Sequence, residues 1–297
     1  MLSAKLRSAS SDRPMPGTST PEPGSMNNSG GSASESGTRV AWLALRDLAD
    51  PVLDRFAAQL PATDADRAAR FRRPIDRQAF LAGRLLLDAL AAAAGCRSPL
   101  RIDDTGKPCF ADGGPDFSIT HAGGWVAVAL GGAARVGIDL EPVDRTVDAM
   151  ALARGVLAPD EHAALRNAMP SARAAQFLAA WTVKEAWAKA LGLGLSADLT
   201  HARLDLAASR ITVPDDSDWT IGLYCPEPGL YLSLALHHPD HSPPPPIGFA
   251  RVSWAGHQLR FDHASISPEA ANRSATSARS ISSNSSSSAK IAADAAR

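Results

Sequence analysis

The sequence predicts an α+β fold of two pseudo-duplicated lobes, each a small antiparallel sheet packed with helices, with an active site at the lobe interface. Three observations predict it. The order strand, helices, strands occurs twice, near 39–134 and again near 135–238. Both ends of the 297-residue chain are Ser/Gly/Pro-rich and poor in large apolar residues, which confines the folded part to about 39–262. Ligand sites favour seams between packed lobes, so two lobes imply a site between them. The halves share no detectable sequence identity, so the duplication rests on element order alone. The organisation expected is a disordered tail over 1–38, lobes over 39–134 and 135–246, and an extension over 247–297, largely disordered from about 263.

The elements follow in order. RVAWLAL (39–45) alternates and is rich in β-branched and aromatic residues, as a strand requires. Asp64–Arg72 reads as a helix that Pro74 interrupts, and Asp76–Ala94 as a second helix ending at Gly95. Leu100–Asp103 and Lys107–Phe110 are short strands around the turn DDTGKP. FSITHAGGWVAVAL (117–130) gives two strands around Gly123-Gly124, and RVGIDLEPV (135–143) another. Helical stretches are expected at 149–157, 159–168 and 172–192, then strands at 203–206, 209–213, 220–225 and 230–236. PPPP (243–246) ends the second lobe as a stiff extended segment.

Composition excludes several classes. The formal charge of −1 gives no bulk attraction to nucleic acid or anionic lipid. The most apolar helix, LAGRLLLDALAAAAG, is too short to span a bilayer and carries Arg84 and Asp88. The N-terminal stretch has no apolar core of a secretory signal. Its Arg and Ser content weakly permits a transit peptide, and the sequence equally fits a start at Met15 or Met26. Cys96, Cys109 and Cys225 are scattered and odd in number, which favours a reducing, cytoplasmic setting over a disulfide or zinc scaffold. Six arginines lie between Arg67 and Arg84, either as a solvated helix face or as a local anion-binding patch.

The chemistry-bearing residues concentrate in a few segments. In VGIDLEP, Val136, Ile138 and Leu140 share one strand face, while Gly137, Asp139 and Glu141 share the other. Carboxylates about 7 Å apart on one face suit a hard divalent cation, though a half-buried strand with a solvated polar face fits the same pattern. Gly137 leaves room for something to approach the acids. In WTVKEAWAKALGLG, Val183, Ala186, Trp187 and Ala190 form a buried arc, with Lys184, Glu185, Lys189 and Trp181 opposite. Glu185 and Lys189 stand four apart, a spacing that by itself only supports a helix. If their arc meets the acid strand, Glu185 becomes a third carboxylate and the lysines flank a phosphate. Thr120-His121 precedes a Gly-Gly bend that lets a ligand approach, although a lone strand histidine is more often structural. Lys107 sits in a turn, and Glu161 in a helix first turn, where it suits the helix dipole.

In this order, GKP, FSITH, VGIDLEP and WTVKEAWAKALG resemble the 4′-phosphopantetheinyl transferase superfamily, in its longer two-lobed (Sfp-type) form, over about residues 40–240. The resemblance implies Mg²⁺, coenzyme A as co-substrate, and transfer of phosphopantetheine onto a serine of an acyl- or peptidyl-carrier protein, releasing adenosine 3′,5′-bisphosphate. It implies Asp139, Glu141 and Glu185 as metal ligands, and His121, beside Thr120, as a 3′-phosphate contact. Lys184 and Lys189 would hold phosphates, Lys107 and Arg67 would line the nucleotide site, and Glu161 would deprotonate the serine. Where relatives often carry arginines this chain has Ala79 and Leu87-Asp88, so Arg77 or Arg84 is expected to supply that anion contact. The alternative expectation is a catalytically weak relative that binds coenzyme A or carriers without turnover. The arginine-rich helices are expected to dock the acidic carrier, and a monomer is expected from two fused lobes.

Overall fold

A computed structural model describes residues 37–131, 135–194, 198–205, 210–212, 219–237, 246–255 and 258–266. The expected disordered tails, apart from their inner edges, and most of the PPPP run lie outside the described residues.

The first strand, β1 (Thr38–Ala44), is followed by a single 3-10 turn and by α1 (Asp50–Ala57), α2 (Ala62–Ala69) and α3 (Pro74–Ala93). Prolines at the first turns of α1 and α3 start these helices where their missing N–H costs nothing. The hairpin β2 (Leu100–Ile102) and β3 (Pro108–Phe110) leads to β4 (Phe117–Ala122) and β5 (Trp125–Leu130). Gly123 and Gly124 turn β4 into β5 with φ of 56° and 80°, values that disfavour any residue with a Cβ.

The chain continues with β6 (Arg135–Pro142), α4 (Ala149–Ala153), α5 (Pro159–Asn167) and α6 (Pro170–Leu191), the last stopped by Gly192 at φ 73°. Then come β7 (Arg203–Asp205), β8 (Arg210–Thr212), β9 (Trp219–Glu227) and β10 (Leu230–His237). Among the described residues, no helix is long and apolar enough to cross a membrane.

The segment read as an extension is part of the fold. Residues β11 (Ile247–Ala255) and β12 (Gln258–Ala264) form a hairpin, and β11 lies parallel to β1, Val40 opposite Phe249. The first sheet thus has five strands, in the order β12-β11-β1-β5-β4, and the second has three, β6-β10-β9. Neither lobe is the self-contained stretch of chain that the repeat of element order suggests.

Alternation places the cores. In β1 and β5 one face, including Leu43, Val126 and Val128, packs on α3, and the other, including Val40, Trp42 and Ala127, meets Ile138, Leu140 and Leu234 of the second sheet. The other side of the second sheet carries α6, with Ala186 and Ala190 fully buried against it. The layers are therefore α3, five-stranded sheet, three-stranded sheet and α6. Each fully buried leucine or isoleucine between the sheets contributes about 1.5–3 kcal/mol. That apolar layer joins the two sheets and leaves the opposite face of β6 to α6.

Candidate active site

Gly137, Asp139 and Glu141 face α6, on the side of β6 opposite the apolar layer. A Cβ on Gly137 would lie 1.9 Å from the Ala186 carbonyl oxygen and 2.5 Å from the Ala190 nitrogen. The room that glycine leaves is therefore filled by the backbone of α6, not by a ligand. That close approach is what brings Lys189, on the same helix, to the acid strand.

The edges of the two sheets, β4 and β6, are joined by side chains in place of a backbone ladder. Asp116 Oδ2 accepts from Val136 N at 2.8 Å, and Ser118 Oγ accepts from Ile138 N at 3.2 Å. Thr120 Oγ1 donates to Asp139 Oδ1 at 2.8 Å. Residues 116, 118 and 120 share a strand face by simple alternation, so one side of β4 serves the whole edge of β6. Lys107 Nζ adds bonds of 2.6 Å to Asp116 and 3.2 Å to the Val136 carbonyl, which makes it a further tie between the edges of the two sheets.

Asp139 is 1% exposed and Glu141 is 0% exposed. Lys189 Nζ lies 2.6 Å from Asp139 Oδ1, 3.0 Å from Thr120 Oγ1 and 3.2 Å from the Ile138 carbonyl. Arg145 is ion-paired with Glu141. Thr120 is buried, and His121, beside it on β4, points to the opposite side of that strand and is part-buried. Gly123 packs so closely on Pro142 that a Cβ would meet its Cγ at 2.2 Å, which pins the bend after His121 to the end of the acid strand.

Asp139, Lys189 and Thr120 are thus bonded together at one seam, with Glu141 on the same strand face and Glu185 one turn before Lys189 on α6. They do not form a ready metal shell: among the described residues, no three His, Cys, Asp or Glu side chains stand close enough to hold an ion. Lys189 and Arg145 are each ion-paired with one oxygen of a buried acid. The donor chemistry nonetheless fits a hard cation. Asp139 Oδ2 is buried and has no hydrogen-bond partner among the described residues, so it has lone pairs to give.

Lys184 is not at the seam in the expected role. Its side chain is fully buried, and Nζ donates to Glu161 Oε2, to the Val156 carbonyl at 2.9 Å and to the Leu199 carbonyl at 3.1 Å. An ammonium has three protons, and all three are used within the fold, leaving none for a phosphate. Burial pushes this ammonium below the ordinary lysine range, and the Glu161 carboxylate pulls it back up.

Glu161 is correspondingly a framework carboxylate. Its Oε2 also accepts from Ala158 N at 2.8 Å, capping α5, and its Oε1 accepts from Leu204 N at 2.6 Å. Three bonds thus hold this carboxylate to the framework. The helix wheel failed here because α6 is buried on more than one side, with Lys184 facing α5 rather than water.

Arg67 lies on α2 with its guanidinium 5.5 Å from the centre of the Phe80 ring, and Arg84 lies 5.1 Å from the same ring. Burial first, and then the neighbouring Arg84, lower the Arg67 pKa. Arg84 is itself committed to Asp64 at 2.9 Å, and Arg77 to Asp54 at 3.1 Å. Arg84 is thus held within the fold, whereas the pair of Arg77 with Asp54 lies in solvent. Arg145, Asp116 and Ser118 were overlooked in the sequence. The alternation D-x-S-x-T leading into His121 and an arginine four residues after Glu141 were their signals.

Fold and seam together define an α+β protein with two buried acids on one strand and a lysine on the helix that faces it. The family model of the 4′-phosphopantetheinyl transferase superfamily matches residues 135–244. The 4′-phosphopantetheinyl transferase HetI of Nostoc sp. is 31% identical over 163 residues, covering 52% of this chain and 69% of the relative. A phosphopantetheinyl transferase of Thraustochytrium sp. is 28% identical over 69% of this chain and 80% of its own. The 4′-phosphopantetheinyl transferase Sfp of Bacillus subtilis is 27% identical over 66% and 90%. This chain belongs to the 4′-phosphopantetheinyl transferase superfamily.

Proposed function

We propose that the protein transfers the 4′-phosphopantetheine group from coenzyme A to a serine of an acyl- or peptidyl-carrier protein. The observation that carries this reading is the seam itself: two buried acids on β6 and a lysine on α6, bonded across 2.6 Å between residues 50 positions apart. Membership of the superfamily supports the same reaction.

Asp139 and Glu141, with Glu185 from α6, are the residues that would hold Mg²⁺. When bound, the ion would neutralise charge on the pyrophosphate of coenzyme A and steady the leaving phosphate. Lys189 reaches the same place from the helix side, and its ammonium would stabilise negative charge gathering on the leaving group. His121 and Arg67 would contact the nucleotide phosphates, and Lys107 would border them while tying the sheet edges together. The serine oxygen forms a bond to the phosphorus next to the pantetheine arm. The bond to the bridging oxygen breaks, adenosine 3′,5′-bisphosphate leaves, and the serine proton passes to water. Glu161, the base that the resemblance implies, is bonded to Lys184 and two backbone amides.

The full chain, incubated with coenzyme A, Mg²⁺ and a panel of apo carrier proteins, should raise the mass of at least one carrier by one phosphopantetheine. Asp139→Asn and Glu185→Gln should each nearly abolish that gain. No mass gain with any carrier would overturn the reading, and full activity in both variants would overturn the metal assignment. A second reading, a relative that binds coenzyme A without turnover, draws support from Arg84 being held by Asp64. Retained coenzyme A binding with no transfer to any carrier identifies it.

A further inference from the structure

Each acid of the seam is already neutralised from within the chain. Asp139 and Glu141 keep 1% and 0% of their side-chain surface exposed, but their partners Lys189 and Arg145 keep 29% and 26%. Each pair is therefore a fixed buried anion with a cation that still touches solvent. Arg145 reaches its place by a tight turn: its N–H donates to the Pro142 carbonyl at 3.2 Å, which folds the chain back so that the guanidinium returns to Glu141. Two carboxylates on one buried strand face repel each other and are costly to desolvate, and the two cations offset both effects.

A bare divalent ion entering this seam meets two positive charges held within hydrogen-bond distance of the carboxylates it would bind. A phosphoanhydride changes the balance, because its anionic oxygens accept the displaced cations. Lysine serves there as a point charge and arginine as a two-pronged donor. We propose that Arg145, acting with Lys189, is a resident counter-cation that makes divalent-ion binding at Asp139 and Glu141 conditional on a phosphoanhydride ligand. This inference rests on the reading of the seam as a metal and phosphate site and adds a residue, Arg145, and an order of events. Arg145 positions Glu141 and withholds it from a lone ion, and it releases the carboxylate when ion and pyrophosphate arrive together.

Binding of Mn²⁺ to the full chain, followed by the electron paramagnetic resonance signal of the free ion, tests this directly. Titrations are run with and without coenzyme A and corrected for Mn²⁺ bound by coenzyme A alone. The wild-type chain should bind Mn²⁺ about 10-fold or more tightly with coenzyme A than without it, within the usual range of coupling between two ligands. Arg145→Gln should tighten Mn²⁺ binding in the absence of coenzyme A by about 10-fold and shrink the coenzyme A effect by a similar factor. Arg145→Lys, which keeps the charge, should behave like wild type. Equal Mn²⁺ affinity of the wild-type chain with and without coenzyme A overturns the proposal. So does a folded Arg145→Gln chain that binds Mn²⁺ no more tightly than wild type. If Arg145→Gln does not fold, the wild-type comparison and Arg145→Lys decide. Failure of the transferase reading shows up separately, as absence of carrier modification by the wild-type chain.

Discussion

Gly137→Ala is the sharpest test of how α6 is held on the acid strand. The added methyl would begin 1.9 Å from the Ala186 carbonyl oxygen, 2.5 Å from the Ala190 nitrogen and 2.9 Å from the Ala190 Cβ. Two of these atoms belong to the helix backbone, so no side-chain rotation relieves the clash. Ordinary contact needs more than 3 Å, and α6 must therefore lift from β6 by roughly 1 Å or more. Overpacking of this kind costs about 1–3 kcal/mol, and the rigid neighbours place this case near the top of that range. For a folded region of this size, that lowers the melting temperature by roughly 5–10 °C. Lys189 rides on the same helix, so its 2.6 Å bond to Asp139 opens by a comparable amount. A displacement near 1 Å at reacting groups lowers turnover by up to about 10²-fold. Differential scanning calorimetry and the rate of carrier mass gain read the two effects. A variant that melts within a degree of wild type and turns over at the same rate would refute the claim that glycine is there to admit the helix.

Three further outcomes are expected. The Tyr224 phenol, 4% exposed in the layer between sheets, is pushed up by burial to about 12. An unfolded tyrosine ionises from about pH 10, so the native chain keeps its full stability below that pH and loses up to about 2.7 kcal/mol as pH rises toward 12. Tyr224→Phe should remove that share of the alkaline loss in denaturant unfolding at pH 9 and 11.5, and parallel profiles for the two proteins would count against it. Lys184→Met should destabilise by about 3–5 kcal/mol, since it leaves Glu161 charged and unpaired beside the core, and adding Glu161→Gln should recover much of that. A Lys184→Met chain of unchanged melting temperature but weakened coenzyme A binding would instead return Lys184 to the phosphates. Arg251 bonds Glu227 at 2.7 Å and Asp47 at 3.0 Å with about a third of its side chain in solvent, so Arg251→Ala should cost only about 1 kcal/mol in a melting experiment.

Much of this molecule is legible from short-range pattern. The strands at 39–45, 117–130 and 135–143, the break at Pro74 and the long helix ending at Gly192 follow from alternation, proline and glycine signals, and all appear where expected. The acids were legible because a strand puts Asp139 and Glu141 on one face whatever surrounds it. Lys184 was misread because a helix wheel divides residues into two faces, whereas α6 is covered by β6, α5 and the residues around Leu199 at once. Gly137 was misread because an absent side chain shows only that something comes near, not what. The hairpin at 247–264 was passed over because it stands between a proline run and a serine-rich tail, and its partner is more than 200 residues away.

That hairpin has a consequence for how the chain is made. The strand β1 is central to its sheet, flanked by β5 on one side and by parallel β11 on the other. During synthesis, one edge of β1 has no neighbour until the ribosome has passed Ala255, whereas β6, α6, β9 and β10 are all available earlier. Pairings between such distant segments close slowly, because the intervening loop must be ordered first. The five-stranded sheet, begun by the first strand of the sequence, is therefore expected to be the last to finish. A nascent chain arrested before Ile247 would show an open, apolar strand edge, a state that invites aggregation or a chaperone.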